Sequence, residues 1–159
     1  MISLRPLLKE DLLLAFEWEN IPELWQVSEQ QGPYNMEEID SFHAKCLDQN
    51  NPEIERLVIC FELLPIGAID IFEYDETNNH CGLGIFIAKP EHRGKGYGAI
   101  ALNHAIDILN RRGCQVIRSI IYSNNTSSRR LFLNAGFSEG AAIEYNRQPA
   151  HQFIWTRNV

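Results

Sequence analysis

Apolar and polar residues recur along this chain with two periods, and each period predicts one kind of secondary structure. Runs in which apolar side chains dominate or alternate with polar ones predict seven strands, at positions 2–7, 56–63, 67–74, 82–88, 115–122, 137–145 and 152–156. Apolar residues three or four positions apart predict four helices, at positions 10–18, 35–47, 97–112 and 125–135. The pattern by itself predicts an α+β protein.

Capping and turn residues mark where these elements begin and end. Asn35 opens the second helix with Glu38 three residues later, which is the pattern of a capping box. The long helix places apolar residues on one face, at Ala99, Leu102, Ile106 and Leu109. Prolines and a glycine predict an irregular loop over 21–33, a polar run predicts a turn over 75–80, and the second and third strands form a hairpin around Pro65.

The composition narrows the class of protein. A chain of 159 residues with 45% hydrophobic residues and no repeat or linker suits a single domain over 1–159. The net charge of −7 argues against a general nucleic-acid surface. The four cysteines form no Cys-x-x-Cys pair, no histidine pair has metal-ligand spacing, and no apolar run is long enough to span a bilayer. We expect a cytoplasmic protein with free thiols, no metal and no membrane partner.

A glycine-rich turn lies between the fourth predicted strand and the long helix, with the sequence Arg93-Gly94-Lys95-Gly96-Tyr97-Gly98. Without Cβ atoms in the way, several backbone N–H groups can converge there on one anion. The N-terminus of the next helix and the charges of Arg93 and Lys95 favour the same anion. The turn predicts a phosphate or pyrophosphate site. Its glycine spacing matches neither the P-loop nor the Rossmann motif, which argues against those two nucleotide sites.

A second cluster, at 125–137, combines polar helix-starting residues with a glycine that ends the helix. The order strand, anion turn, long helix, strand, short helix and Gly-Phe strand resembles the GNAT superfamily of acetyl-CoA-dependent N-acetyltransferases. Two blocks carry the resemblance, Arg93-x-x-Gly96-x-Gly98 and Asn125-x-x-Ser128-x-x-Leu131-Phe132-x-x-x-Gly136-Phe137. The opening Leu4-Arg5-Pro6-Leu7 with Asp11-Leu12 is similar to the branch of ribosomal-protein and spermidine acetyltransferases.

The resemblance implies a mixed, mostly antiparallel central sheet of about seven strands flanked by four helices. It implies acetyl-CoA as co-substrate, with its pantetheine arm against the fourth strand in a slot where the fourth and fifth strands splay apart. A primary amine would attack the thioester directly in a ternary complex. The implied cofactor-binding residues are Gly84, Ile85, Phe86, Ile87, Arg93, Gly94, Lys95, Gly96, Tyr97, Gly98, Asn125, Ser128, Arg130 and Phe132. Asn125 could instead be a simple helix cap.

The chain departs from the family pattern at two catalytic positions. The aromatic residue after Leu131 is usually a tyrosine that can protonate the leaving thiolate, and here it is Phe132. The glutamate often found on the fourth strand is replaced by Gly82. Replacement candidates for acid and base are Tyr122, Glu73 and Asp70. Each has a plainer interpretation as a solvated carboxylate or a packed tyrosine, and positioning with solvent as proton acceptor is the alternative mechanism.

The acceptor is predicted from charge alone. Acidic residues populate the N-terminal segments that wall the acceptor pocket in the family, at Glu17, Glu19, Glu29, Glu37, Glu38 and Asp40. They favour a small cationic amine or a peptide N-terminus as the acceptor partner. No nucleic acid is expected, and the protein would act as a monomer or homodimer. A non-catalytic acyl-CoA-binding module of the same fold stays as the alternative function.

Overall fold

A computed structural model of the chain describes residues 1–25, 32–50 and 53–158. The strands are β1 (Ile2–Pro6), β2 (Ile54–Phe61), β3 (Leu64–Asp75), β4 (His80–Ile87), β5 (Val116–Tyr122), β6 (Ser138–Tyr145) and β7 (Gln148–Thr156). The α-helices are α1 (Leu12–Glu19), α2 (Pro22–Trp25), α3 (Met36–Leu47), α4 (Tyr97–Arg111) and α5 (Thr126–Asn134). Short 3-10 turns lie at Lys9–Asp11 and Pro90–His92.

All seven strands form one sheet in the order β1-β2-β3-β4-β5-β7-β6. Among the strands of the described residues only the β4–β5 pair is parallel, and α4 is the crossover that a parallel pair requires. The predicted α+β class and the mostly antiparallel sheet of seven strands are confirmed. The prediction of four helices was wrong by one, because α2 forms inside the segment predicted as an irregular loop. Pro22 suits the first position of that helix, where no N–H is needed; residues 26–31 of the predicted loop lie outside the described residues.

The two faces of the sheet are covered by different helices. Helix α4 buries one face, with Ala101, Leu102, Ala105, Ile106 and Leu109 in the main core beside Phe132 of α5. Three of the four apolar residues predicted for this face are buried, while Ala99 is partly exposed. Helices α1 and α3 lie on the other side, where Trp18 packs with Val58, Ala68 and Phe86. The apolar residues that set the sequence periods thus form two cores, one on each face of the sheet.

The parallel pair of strands opens partway along its length. β4 and β5 are paired only at His80–Val116, Cys81–Ile117 and Gly82–Arg118. β4 nevertheless stays paired with β3 on its other edge as far as Ile87. Within the described residues, the edge of β4 from 83 to 87 that faces β5 therefore has no strand partner, and the predicted splay of these two strands is present.

Candidate active site

The glycine-rich turn caps α4 at the open end of the slot. Gly94 and Gly96 have φ values of 71° and 81°, in the left-handed region that glycine adopts without steric cost. Gly96 is the N-cap of α4 and has no side chain to accept a hydrogen bond from the first turn. The first N–H groups of a helix have no partner within the helix. An anion at this helix start would therefore find free donors and a favourable dipole.

The two charged side chains of this turn have different surroundings. The Arg93 guanidinium donates to the carbonyl of Ile87 at 3.1 and 3.0 Å and to that of Ala88 at 3.1 Å. Its backbone N–H donates to the carbonyl of Pro90. Arg93 therefore fastens the turn to the end of β4, where the strand carbonyls lose their ladder partner. Lys95 is exposed and has no hydrogen-bond or ion-pair partner among the described residues, so its charge is available to a phosphate.

Helix α5 starts directly beside the end of β5. The Asn125 side chain accepts a hydrogen bond from the Ser128 N–H at 3.2 Å, and its own N–H donates to the Tyr122 carbonyl at 2.9 Å. Asn125 thus makes the helix-capping contact, which is one of the two roles that the sequence leaves open for it. Arg129 pairs with Glu139 at 2.7 Å. Arg130, the next residue, is exposed and has no partner among the described residues. Of the two arginines, Arg130 is therefore the one that stays a predicted cofactor residue.

The position at which the family carries a tyrosine lies in the core. Phe132 is 2% exposed and packs edge-on against Phe137, with ring centroids 4.8 Å apart. Leu131, one residue before it, lies 3.7 Å from where a Cβ of Gly98 would be. Phe132 can therefore hold α5 against the core and against the start of α4, and it has no group that could transfer a proton.

The position at which the family carries a glutamate is filled by another side chain. A Cβ placed on Gly82 would come within 2.0 Å of the Phe72 ring. Phe72 is the cross-strand neighbour of Gly82, and its ring lies over the glycine backbone. With Phe72 in this position, a side chain on Gly82 would collide with its ring.

Replacing Gly82 by alanine should destabilise the fold by about 1–3 kcal/mol, because the Phe72 ring must move. Gly84→Ala is the matched control, since its Cβ would meet Phe72 only at 4.0 Å, an ordinary contact. Urea unfolding measures both variants. Phe72→Leu in the Gly82→Ala chain should recover part of the loss. Equal unfolding free energies for the Gly82 and Gly84 variants would contradict this packing.

The predicted candidate Asp70 is an ion-pair partner on the side of the sheet that faces α1. Its carboxylate accepts two hydrogen bonds from Arg56, at 2.7 and 2.9 Å. Arg56 also pairs with Glu19 of α1 at 2.7 Å. Asp70 stands opposite Gly84, at the level where the slot opens. Its strand position is therefore level with the slot, its carboxylate is held by a permanent cation, and its catalytic role stays a prediction.

The predicted candidate Glu73 lies away from the slot. The β3–β4 register passes through Phe72–Gly82 and is interrupted before Asp75, so Glu73 lies level with the closed part of the β4–β5 pair. Its φ of 51° belongs to this irregularity. With Arg112, at the C-terminal end of α4, it lines an open cavity of about 1140 Å³. The register therefore places Glu73 level with the closed part of the β4–β5 pair, and its position beside an acceptor stays a prediction.

The predicted candidate Tyr122 ends β5 on the open side of the slot. It lies four positions beyond Arg118, the last residue of β5 that pairs with β4. The side chain is buried at 5% exposure, and its hydroxyl oxygen accepts a hydrogen bond from the Asn146 side chain at 3.1 Å. Asn146, Phe72 and Arg56 were not predicted from the sequence as site residues. An arginine among the apolar residues of β2 was the only local signal for any of the three.

The fold and the slot define a class of protein, in which a splayed parallel strand pair ends beside a glycine-capped helix. The family model described as the acetyltransferase (GNAT) domain matches residues 2–138. The chain therefore belongs to the GNAT acetyltransferase family. The predicted family, enzyme class and co-substrate, acetyl-CoA, are confirmed.

Solved structures share this fold at low sequence identity. Spermidine N-acetyltransferase from Vibrio cholerae, in complex with CoA and spermine, is 20% identical, with a TM-score of 0.86 over 98% of this chain and 95% of that one. The aminoglycoside acetyltransferase AAC(6')-Ib, in complex with coenzyme A, is 18% identical, with a TM-score of 0.80 over 99% and 95%. No curated protein sequence matches the chain. In its described part, no helix combines the length and apolar character needed to cross a membrane.

Proposed function

We propose that this protein transfers the acetyl group of acetyl-CoA to the amino group of a small cationic molecule or of a peptide N-terminus. The observation that supports this most is the open edge of β4 from 83 to 87, which leads directly to the glycine-capped start of α4. An extended pantetheine arm can add to such an edge as a further strand. The pyrophosphate at the end of that arm would then meet Gly96, Tyr97 and Gly98.

The chemistry proposed is direct attack in a ternary complex. The amine nitrogen forms a bond to the thioester carbon while a backbone N–H polarises the carbonyl oxygen. The carbon–sulfur bond then breaks, and its electron pair leaves on sulfur. The sulfur takes a proton from the Tyr122 hydroxyl, and the resulting phenolate takes the proton that the acylated nitrogen releases, which regenerates the tyrosine. The products are an amide and the free thiol of CoA, so no further reactant is needed.

Only the neutral amine can attack, and a lysine-like amine with a pKa of about 10.4 is mostly protonated near pH 7. Both carboxylate oxygens of Asp70 already accept hydrogen bonds from Arg56. We therefore assign deprotonation to solvent, with binding geometry supplying most of the rate enhancement. Asp70 and Glu19 both lie beside Arg56, on the α1 side of the sheet. Carboxylates on this side of the slot favour a cationic acceptor over an anionic one.

Further acidic residues lie on the same N-terminal elements. Glu17 is 3.9 Å from Lys89, Glu38 is engaged at the cap of α3, and Glu37 and Asp40 are exposed on that helix. Glu29 lies outside the described residues. Two structural neighbours were solved with polycationic acceptors, spermine and kanamycin. Both facts support membership of a branch that acetylates cationic amines.

An acceptor panel tests the proposal. Spermine, spermidine, kanamycin, free amino acids and short peptides are incubated with acetyl-CoA, and release of the CoA thiol is measured with a thiol reagent. We expect release above the enzyme-free rate with at least one cationic amine, and little with anionic amino acids. The alternative, a binding module without activity, predicts that acetyl-CoA raises the melting temperature while no acceptor releases thiol.

A further inference from the structure

The turn between β6 and β7 has an unusual backbone for its two central residues. Asn146 and Arg147 have φ values of 48° and 62°, both in the left-handed region. Tyr145 and Gln148, on either side, pair with each other and close the hairpin. Two consecutive left-handed residues are the mark of a type I′ hairpin turn, where asparagine and glycine are preferred. The backbone therefore accounts for an asparagine at 146, but it does not account for where the side chain points.

The Asn146 side chain reaches across to the end of β5. Its Nδ2 donates to the Tyr122 hydroxyl oxygen at 3.1 Å, a contact between residues 24 positions apart in the chain. The first residues of β7 hold the two segments together, since Tyr122 pairs with Ala150 and the Ser123 N–H donates to the Pro149 carbonyl at 2.9 Å. The hairpin thus extends past the end of β5 and places an amide directly on the phenol.

This contact suits a phenol that must give up its proton. An N–H donor on the phenolic oxygen occupies one of its acceptor positions and leaves the O–H free to donate elsewhere. Such a hydrogen bond strengthens as negative charge develops on the oxygen. No described residue accepts a hydrogen bond from the Tyr122 hydroxyl, so its proton is not committed within the described part of the protein.

We propose that Asn146 is a positioning residue for the reaction, which orients the Tyr122 hydroxyl and stabilises the phenolate that forms when the proton moves to the CoA sulfur. This inference rests on the proposed function, because it assumes that Tyr122 is the acid. The proton passes from the Tyr122 oxygen to the thiolate, and the phenolate recovers one from the amine that has just been acylated. The backbone of the turn sets the position of the Asn146 side chain, and the amide of that side chain sets the direction of the Tyr122 hydroxyl.

The turn supplies a matched pair of variants. Asn146→Gly keeps the left-handed backbone and removes the amide, since glycine adopts such φ values freely. Arg147→Gly places a glycine at the other left-handed position of the turn. It removes a side chain that has no described contact with Tyr122. Asn146→Asp replaces the donor by an acceptor, which would draw the Tyr122 proton toward itself. Each variant is assayed with acetyl-CoA and the panel amine that wild type turns over fastest.

We expect Asn146→Gly to lower kcat about fivefold with little change in the KM for acetyl-CoA, and Asn146→Asp to lower kcat further. Arg147→Gly should keep the wild-type kcat. Tyr122→Phe should lower kcat about tenfold or more, and adding Asn146→Gly to that chain should cause no additional loss. Such non-additivity would not follow from a purely structural role of the turn.

The outcomes separate the two proposals. Absence of thiol release from wild type with every amine overturns the proposed function, and this inference with it. Wild-type kcat in Tyr122→Phe leaves acetyl transfer in place and overturns the inference. Full activity of Asn146→Gly, equal losses in both glycine variants, or additive losses in the double variant also overturn it, while acetyl transfer by Tyr122 or by solvent would remain.

Discussion

Exchanging Gly96 for alanine should weaken acetyl-CoA binding at least about tenfold, a loss of about 1.4 kcal/mol or more. A Cβ on Gly96 would meet no atom of the protein within 4 Å, so nothing in the protein itself opposes it. The added methyl group would instead face the anion that approaches the start of α4. The φ of 81° adds a separate cost of about 1–2 kcal/mol to folding, because side chains disfavour the left-handed region.

Gly113 provides the matched control for that experiment. It lies just beyond the other end of α4, has a φ of 92°, and a Cβ added to it would also meet no atom within 4 Å. Gly113→Ala should therefore lose a similar free energy of unfolding and keep wild-type affinity for acetyl-CoA. Calorimetric titration measures the affinity, and urea unfolding measures the stability. Equal affinities for the two alanine variants would refute the assignment of the turn as the pyrophosphate site.

Replacing Arg56 by methionine should cost about 3–5 kcal/mol of folding free energy, because it removes a buried guanidinium from two partly buried carboxylates. Arg56 is 4% exposed, pairs with Asp70 and Glu19, and lies 5.0 and 5.3 Å from the ring centroids of Phe42 and Phe86. Burial alone would lower the pKa of this guanidinium, but the two carboxylates raise it above its ordinary value. The arginine therefore stays charged and joins two helices to the sheet.

Arg112 is the control for burial. It makes the same two-point pair, with Glu55 at 2.7 and 3.0 Å, but its side chain is 41% exposed. Arg112→Met should therefore cost less than about 1 kcal/mol. Urea unfolding measures the stability of both methionine variants. Adding Asp70→Asn and Glu19→Gln to the Arg56→Met chain should recover part of its lost stability. Similar losses of unfolding free energy in the Arg56 and Arg112 variants would show that burial does not set the strength of the ion pairs of Arg56.

Features that depend on neighbouring residues were predictable from the sequence. The capping box of α3 forms as expected, with Asn35 accepting from the Glu38 N–H at 2.8 Å and Glu38 accepting from the Asn35 N–H at 3.1 Å. The positive φ values of Gly94 and Gly96 follow from the glycine-rich turn, and α4 follows from its apolar period. Both family blocks are short and contiguous, so they identified the class of enzyme and predicted where its cofactor binds.

Features that depend on register or distant partners were decided by the tertiary structure. Asp70 and Glu73 are three residues apart on one strand, yet only the strand pairing shows that Asp70 lies level with the slot and Glu73 level with the closed part of the β4–β5 pair. The charge of Arg93 was predictable from the sequence, but the hydrogen bonds that its guanidinium donates to the carbonyls at the end of β4 were not.

The acceptor side of the site depends most on such distant partners. Phe72 fills the space above Gly82, and Asn146 contacts Tyr122 across a hairpin. The sequence by itself determined the family, the sheet and the glycine-rich turn before α4, because these rest on local backbone preferences and contiguous motifs. The tertiary structure decided which acids and hydroxyls are available for chemistry, because hydrogen bonds between remote segments commit some of these groups and leave others free.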